Sequence, residues 1–109
     1  MNSDENNNLL ILKEFEEAGA LHRGHFILSS GLHSDTYLQC AKIMMDPIRA
    51  EKICNLLAKK ILEKFNVKDF DIIVSPAMGG VIVGYEVARQ LGLKAIFCER
   101  VNGVFELRR

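Results

Sequence analysis

Residues 71–98 constrain the fold most, because two short apolar segments flank a helical one. The apolar segments, 71–75 and 95–98, lack polar alternation, which is typical of strands covered on both faces in a parallel sheet. The segment between them has helical spacing over 81–91 and is followed by Gly92, a common residue after a helix end. This order predicts a right-handed βαβ unit and therefore an α/β fold with a parallel sheet and flanking helices.

Two more helices are predicted before this unit. Residues 1–8 are polar and are predicted to form a frayed tail, with Asn8 capping a helix over 9–18. A longer helix is predicted to begin after Asp46, which can cap it. Its predicted buried stripe repeats every four residues and comprises Ile53, Leu57, Ile61 and Phe65. The predicted apolar side of the helix over 81–91 comprises Val81, Tyr85, Ala88 and Leu91.

Two hairpins are also predicted. The β-type runs 26–28 and 36–40 are separated by a polar connection over 29–34. Near the end of the chain, Asn102 and Gly103 lie between alternating residues, which is a strong signal for a tight hairpin turn.

Only two strands of the buried, parallel type are present in the sequence. Two such strands with two helices cannot cover both faces of a sheet and protect both of its edges. We therefore expect a first part of an α/β domain, completed by a further segment or by a partner chain. Residues 1–45 are expected to form an N-terminal helix and hairpin, and residues 46–109 the first part of the α/β core.

Charge and composition exclude several classes of protein. The 109 residues include 14 Lys and Arg and 14 Asp and Glu, so the formal net charge is zero. The chain therefore has no excess positive charge that would favour binding to nucleic acid or to an anionic membrane surface. No apolar run approaches the ~18 residues of a membrane span, and the acidic start is not a secretory signal. Three scattered cysteines without a CxxC pair indicate free thiols and a cytoplasmic location. An anionic ligand would need a local binding site.

The turn over 76–80 is the strongest candidate for such a site. In open α/β sheets, ligands bind at the carboxyl ends of strands, where a helix start offers unpaired N–H groups to phosphate. Gly79 and Gly80 lack the Cβ atoms that would keep an anion from the backbone, and Ser75 can add a hydroxyl. The alternative is that the two glycines only make a tight turn. A dinucleotide site is disfavoured because the pattern is GGxxxG and not GxGxxG.

Two further groups are weaker candidates. The hydroxyls of Ser29 and Ser30, beside Gly31, suit a polar ring or a phosphate, although a solvated connection is the alternative. Arg100 lies near the end of the last parallel strand, where a guanidinium can bind phosphate in a fork, although an ordinary charged hairpin would also carry it. Arg108 and Arg109 follow it in the sequence.

The histidines do not suggest a site from sequence. His22 and His25 lie outside any predicted helix and have no cysteine or carboxylate cluster nearby, so a zinc site is not expected. His33, Ser34 and Asp35 are adjacent on a strand and point in alternate directions, so they cannot form a hydrolase triad.

Four segments, taken together in order, resemble the N-terminal half of bacterial orotate phosphoribosyltransferases. The resemblance extends from about Leu9 to Arg109. The segments are GHFILSSG at 24–31, YLQ at 37–39, SPAMGG at 75–80 and FCER at 97–100.

The resemblance implies a phosphoribosyltransferase fold with a small N-terminal hood and a role in pyrimidine biosynthesis. The implied reaction transfers phosphoribosyl from phosphoribosyl pyrophosphate to orotate, giving orotidine monophosphate and pyrophosphate in a magnesium-dependent homodimer. The implied pyrophosphate contacts are Ala77, Met78, Gly79, Gly80 and Arg100. The implied hood contacts on the orotate side are Ser29, Ser30 and Gly31.

The sequence also departs from the family. Many relatives have lysine where this chain has Ser29 and Gly79. The acidic pair and the Thr- and Gly-rich loop that hold the ribose 5-phosphate are absent from these residues, so this chain alone is expected to be inactive. The rival interpretation is a non-catalytic nucleotide-binding or dimerisation module of the same fold.

Overall fold

The computed structural model describes residues 2–109, which divide into two compact units, one ending at Arg49 and the other spanning Ala50–Arg109. The chain has an α/β fold, as predicted. No helix among the described residues has the length and apolar character needed to cross a membrane. In chain order the elements are α1 (Ser3–Glu17), β1 (Leu21–Ile27), β2 (His33–Leu38), α2 (Ala41–Met44), α3 (Pro47–Lys64), a 3-10 turn (Val67–Asp69), β3 (Ile72–Pro76), α4 (Val81–Leu91), β4 (Lys94–Val101) and β5 (Val104–Glu106).

Helix α1 begins much earlier than the sequence predicted. The side chain of Asn2 accepts a hydrogen bond from the N–H of Glu5 at 2.8 Å and caps the helix. Asp4 and Glu5 place negative charge in the first turn, where it complements the helix dipole. The predicted frayed tail is therefore wrong for residues 3–8, and Met1 lies outside the described residues.

The first unit contains an antiparallel hairpin of β1 and β2, as predicted. Its register runs from Leu21 opposite Leu38 to Ile27 opposite His33, with an irregularity between Arg23 and Phe26. The connection is shorter than predicted because β2 already begins at His33.

The first unit also has a small core and one short ion pair. Phe15, Ala20 and Ile43 are buried there. The guanidinium of Arg49 lies 2.6 Å from the carboxylate of Glu14, and this contact raises the pKa of Arg49.

The second unit contains the predicted βαβ arrangement. Strand β3 pairs in parallel with β4, from Ile72 opposite Lys94 to Pro76 opposite Cys98, and β5 pairs antiparallel with β4. The turn between β4 and β5 has positive φ at both central residues, 50° at Asn102 and 81° at Gly103. Both the parallel pair and the terminal hairpin are therefore confirmed.

Helix α3 begins where the sequence predicted but buries a different stripe. The carboxylate of Asp46 accepts a hydrogen bond from the N–H of Ile48 at 3.0 Å, which confirms the cap. The predicted stripe is wrong at two of its four positions, since Leu57 is 43% exposed and Phe65 is 55% exposed, while Ile53 and Ile61 are half-buried. The buried stripe is shifted by one position along the helix and consists of the small residues Ala50, Cys54 and Ala58. Small side chains allow a neighbouring element to approach the helix closely.

Helix α4 covers one face of β3. Its buried residues are Gly84, Val87 and Ala88. The prediction is wrong for Tyr85, which is 68% exposed and does not lie on the buried side. On β3 the exposure alternates, and Val74 is 49% exposed. Among the described residues, one face of β3 is therefore open, and the expected covering of both faces stays a prediction.

An ion pair on α4 makes stability depend on pH. The Nη2 atom of Arg89 lies 2.6 Å from the Oε1 atom of Glu86, and this hydrogen bond lowers the pKa of Glu86 below its usual value. A lowered carboxyl pKa adds stability above the unfolded-state pKa, and this stability is lost as pH falls through the folded-state pKa. Replacing Glu86 with glutamine should cost less than about 1 kcal/mol near neutral pH and nothing in acid.

Urea denaturation near pH 7 and near pH 3 measures this dependence. The matched control is Glu63→Gln, since Glu63 is exposed and forms no ion pair with any residue that the structure describes. An equal cost of Glu86→Gln at both pH values would contradict the assignment.

All three cysteines are free thiols, as predicted. Cys54 is 1% exposed, and burial raises the pKa of its thiol. Cys40 is exposed.

Candidate anion-binding site

The turn between β3 and α4 is held at the carboxyl edge of the sheet by backbone hydrogen bonds. The N–H of Ala77 donates to the carbonyl of Cys98 on the neighbouring strand at 2.8 Å. The N–H of Gly80 donates to the carbonyl of Pro76 at 2.8 Å and closes the turn. The peptide bond between Ala77 and Met78 is cis. The turn therefore has a defined backbone path tied to β4.

Several N–H groups at this turn remain available to a ligand. Met78 and Gly79 are exposed, and Met78 has 85% of its surface accessible. Within residues 2–109, the N–H groups of Met78, Gly79, Ile82 and Val83 have no hydrogen-bond acceptor. Unpaired N–H groups at a helix start carry partial positive charge and bind anions.

The two glycines of the turn have different roles. A Cβ atom built on Gly80 would lie 2.7 Å from the carbonyl oxygen of Pro76, so this glycine is required by the turn itself. A Cβ atom on Gly79 would meet nothing within 4 Å. Open space is expected at both glycines and is found only beside Gly79. The N–H groups of Ala77 and Gly80 already donate hydrogen bonds to backbone carbonyls of the described residues.

Ser75 does not extend the row of donors at the turn. Its side chain lies against Gly84, where a Cβ atom would be 2.6 Å from the Cβ of Ser75. The absence of a side chain at Gly84 thus lets α4 approach β3 closely. The hydroxyl that was expected beside the anion packs in the interface between the helix and the strand.

Arg100 lies two residues beyond Cys98 on β4, at the same edge of the sheet as the turn. It is paired with Phe105 across the hairpin, and its guanidinium carbon lies 4.7 Å from the centroid of that ring. This cation–π contact supports the side chain while the guanidinium stays exposed and, among the described residues, without an ion-pair partner. Arg109, by contrast, lies 3.6 Å from the carboxylate of Glu99.

The hood candidates lie in the first unit, at the tip of the β1–β2 hairpin. The N–H of Leu28 donates to the carbonyl of Leu32 at 2.8 Å, and Gly31 has a φ of 87° that favours glycine. The Oγ atom of Ser30 accepts from the N–H of Leu32 at 3.3 Å. Ser29, Ser30 and neighbouring residues line an open groove of about 880 Å³. Ser29 is exposed and forms no hydrogen bond with any described residue.

The hairpin of the first unit also holds a contact between two histidine side chains that the sequence does not predict. The Nε2 atom of His25 lies 2.7 Å from the Nδ1 atom of His33, and both side chains are exposed. The residues are eight positions apart, so only the hairpin register could have brought them together in a prediction.

Comparisons with known proteins agree with the sequence resemblance. No protein-family profile matches the chain. The chain is 56% identical over 99 residues to the orotate phosphoribosyltransferase of Rhizorhabdus wittichii, covering 91% of this chain and 50% of that protein. It is 57% identical over 100 residues to the orotate phosphoribosyltransferase of Methylorubrum extorquens, with the same coverage. The chain is therefore similar in sequence to about half of each of these two orotate phosphoribosyltransferases.

A solved structure has the same fold. The crystal structure of orotate phosphoribosyltransferase from Aeropyrum pernix matches with a TM-score of 0.67 and 22% identity, over 86% of this chain and 54% of that chain. The predicted phosphoribosyltransferase-like fold is thereby confirmed. The chain spans about half the length of the curated orotate phosphoribosyltransferases that it matches.

Proposed function

We propose that the chain is part of an orotate phosphoribosyltransferase and that its β3–α4 turn binds the diphosphate of phosphoribosyl pyrophosphate. The observation that supports this most is the exposed turn whose Met78 and Gly79 N–H groups have no acceptor within residues 2–109. Curated proteins at 48% to 57% identity carry the name of this enzyme. In the proposed reaction, N1 of orotate attacks the anomeric carbon, pyrophosphate leaves and orotidine monophosphate forms.

The turn would act on the leaving group. Negative charge grows on the pyrophosphate oxygens as the bond to the anomeric carbon breaks, and fixed N–H dipoles stabilise that charge without having to reorient. Arg100 would add a forked donor at the same edge of the sheet. Ala77 and Gly80 would serve by fixing the backbone path, since their N–H groups are already bonded.

Magnesium, which the family resemblance implies, is part of the proposed reaction, but residues 76–80 offer it no carboxylate side chain. The turn presents N–H donors, which bind oxyanions, whereas magnesium requires oxygen ligands. No group of three or more His, Cys, Asp or Glu side chains within residues 2–109 is arranged to hold a metal. The described residues at the turn therefore fit the diphosphate and do not fit the cation.

The remaining assignments extend the proposal to the whole protein. Residues 1–45 would contribute to the hood, where Ser29, Ser30 and Gly31 contact the orotate side, and residues 46–109 would form the first part of the catalytic core. Exposure of Ser29 and of the groove beside it supports the hood assignment. The active form would be a cytoplasmic homodimer. The chain by itself would not catalyse the reaction, because it spans about half the length of the enzymes that it matches.

Replacing Gly79 with valine tests the diphosphate site. Its Cβ atom enters open space, so the fold should persist while the branched side chain covers the N–H groups of Met78 and residue 79. Calorimetric titration with inorganic pyrophosphate should show affinity reduced at least about tenfold, which corresponds to 1.4 kcal/mol.

The matched control is Gly24→Val in β1, because a Cβ atom there makes only ordinary contact, 3.5 Å from the ring of Phe26. This variant should bind pyrophosphate as the unmodified chain does. Equal affinity of the Gly79→Val variant and the unmodified chain would refute the proposed site, and so would tighter binding of a nicotinamide dinucleotide than of pyrophosphate.

A further inference from the structure

The histidine pair of the hairpin brings two ring nitrogens to one point. The Nε2 atom of His25 and the Nδ1 atom of His33 are 2.7 Å apart, and the ring centroids are 4.8 Å apart. A hydrogen bond between two imidazoles requires one ring to donate and the other to accept. The two nitrogens therefore share a single proton in a position open to solvent.

The hairpin register explains this arrangement. Phe26 pairs with Ser34 and Ile27 with His33, so His25 is diagonal to His33. Side chains two positions apart on a strand share a face, and a diagonal pair on adjacent strands can meet when the side chains are long or aromatic. The irregularity at Gly24 and His25 bends β1 at the point where the rings meet.

We propose that His25 and His33 form a chelating site for a divalent transition metal such as zinc. Imidazole nitrogens are common ligands of zinc, copper and nickel. A nitrogen that binds zinc lies about 2.0–2.1 Å from the metal. Tetrahedral zinc holds two such nitrogens roughly 3.3 Å apart, which follows from that bond length. As the metal binds, the proton between the two nitrogens moves through solvent to the other nitrogen of the ring that carried it, so both rings stay neutral and both facing nitrogens become ligands. The two nitrogens then separate by roughly 0.6 Å through rotation of exposed side chains.

The surroundings permit the remaining ligands to be water. The pair lines an open cleft of about 230 Å³ together with Gly24, Ser34 and Asp35. The carboxylate of Asp35 accepts a hydrogen bond from Thr36 at 2.9 Å and contributes negative charge to the cleft. No group of three protein ligands is present among residues 2–109, so the site would be exchangeable and not structural.

This site is distinct from magnesium binding in the proposed reaction. Magnesium prefers oxygen ligands and binds nitrogen pairs poorly. The site also does not involve the β3–α4 turn, so its failure would leave the proposed diphosphate site untouched.

Zinc titration of the chain, with the exposed Cys40 replaced by serine, tests the proposal. The nitrogen resonances of the three histidine rings report which atoms bind the metal. We expect the resonances of His25 Nε2 and His33 Nδ1 to shift together with one saturating zinc ion. The ring of His22, which lies 6.4 Å from that of Tyr37, should not respond.

Three single variants make the test specific. His25→Gln and His33→Gln should each weaken zinc binding at least tenfold, and the matched control His22→Gln should change it less than twofold. The melting temperature without zinc shows whether each variant is folded. Equal responses of all three rings, or unchanged affinity in the folded His25→Gln variant, would overturn the proposal.

Discussion

Replacing Gly84 with alanine is expected to destabilise the chain by about 3 kcal/mol, the upper range for overpacking a closely packed interior. A Cβ atom at this position would lie 2.6 Å from the Cβ of Ser75 and closer still to its hydroxyl oxygen. Gly84 is buried between α4 and β3, so the helix would have to move away from the strand. Urea denaturation of the variant and the unmodified chain measures the cost.

A second substitution provides the control. Ser75→Gly removes both of the atoms that the new methyl group would meet, leaving the Cα of residue 75 at 3.9 Å, an ordinary contact. The double variant Ser75→Gly, Gly84→Ala should therefore be more stable than Gly84→Ala alone, despite the cost of glycine in a strand. Such non-additivity is the signature of two residues in contact. A double variant that is less stable than Gly84→Ala would contradict this packing.

Replacing Gly80 with alanine is expected to cost about 2 kcal/mol and to abolish pyrophosphate binding. The new Cβ atom would lie 2.7 Å from the carbonyl oxygen of Pro76 and 2.8 Å from its ring. These atoms belong to the backbone and to a rigid ring, so relief requires opening the turn and losing its closing hydrogen bond. Denaturation in urea and calorimetric titration with pyrophosphate measure the two effects.

The neighbouring glycine supplies the comparison. Gly79→Ala should change stability by less than about 0.5 kcal/mol, because its Cβ atom enters open space. Adjacent glycines of the same turn are thus expected to differ strongly in their effect on folding. If Gly79→Ala proves as destabilising as Gly80→Ala, the turn does not have the described backbone path.

The turn and the βαβ unit could be predicted because their signals are local. Each signal determines the backbone conformation of only a few residues. Uninterrupted apolar runs indicate the strands, the glycine after α4 indicates the helix end, and Asn102-Gly103 between alternating residues indicates the hairpin turn. The start of α1 was equally local but was misplaced. The polarity of the residues before Leu9 predicts a tail, whereas Asn2 and the acidic first turn stabilise a helix there.

Side-chain contacts between distant segments could not be predicted in the same way. Periodicity in α3 indicates an apolar side but does not distinguish the stripe of large residues from the adjacent stripe containing Cys54. The difference between Gly79 and Gly80 depends on where the carbonyl of Pro76 points, which no sequence pattern specifies. The His25–His33 pair likewise depends on the hairpin register.

The most direct test of the central claim is an amide NMR titration of the isotope-labelled chain with inorganic pyrophosphate. The account predicts saturable shifts at the four amides that have no acceptor within residues 2–109, namely Met78, Gly79, Ile82 and Val83. The start of α3 is the internal control, because Asp46 already accepts hydrogen bonds there from Ile48 and Arg49. Shifts confined to the turn would support diphosphate binding by its backbone. Unchanged turn amides, or an equal response at the start of α3, would contradict it.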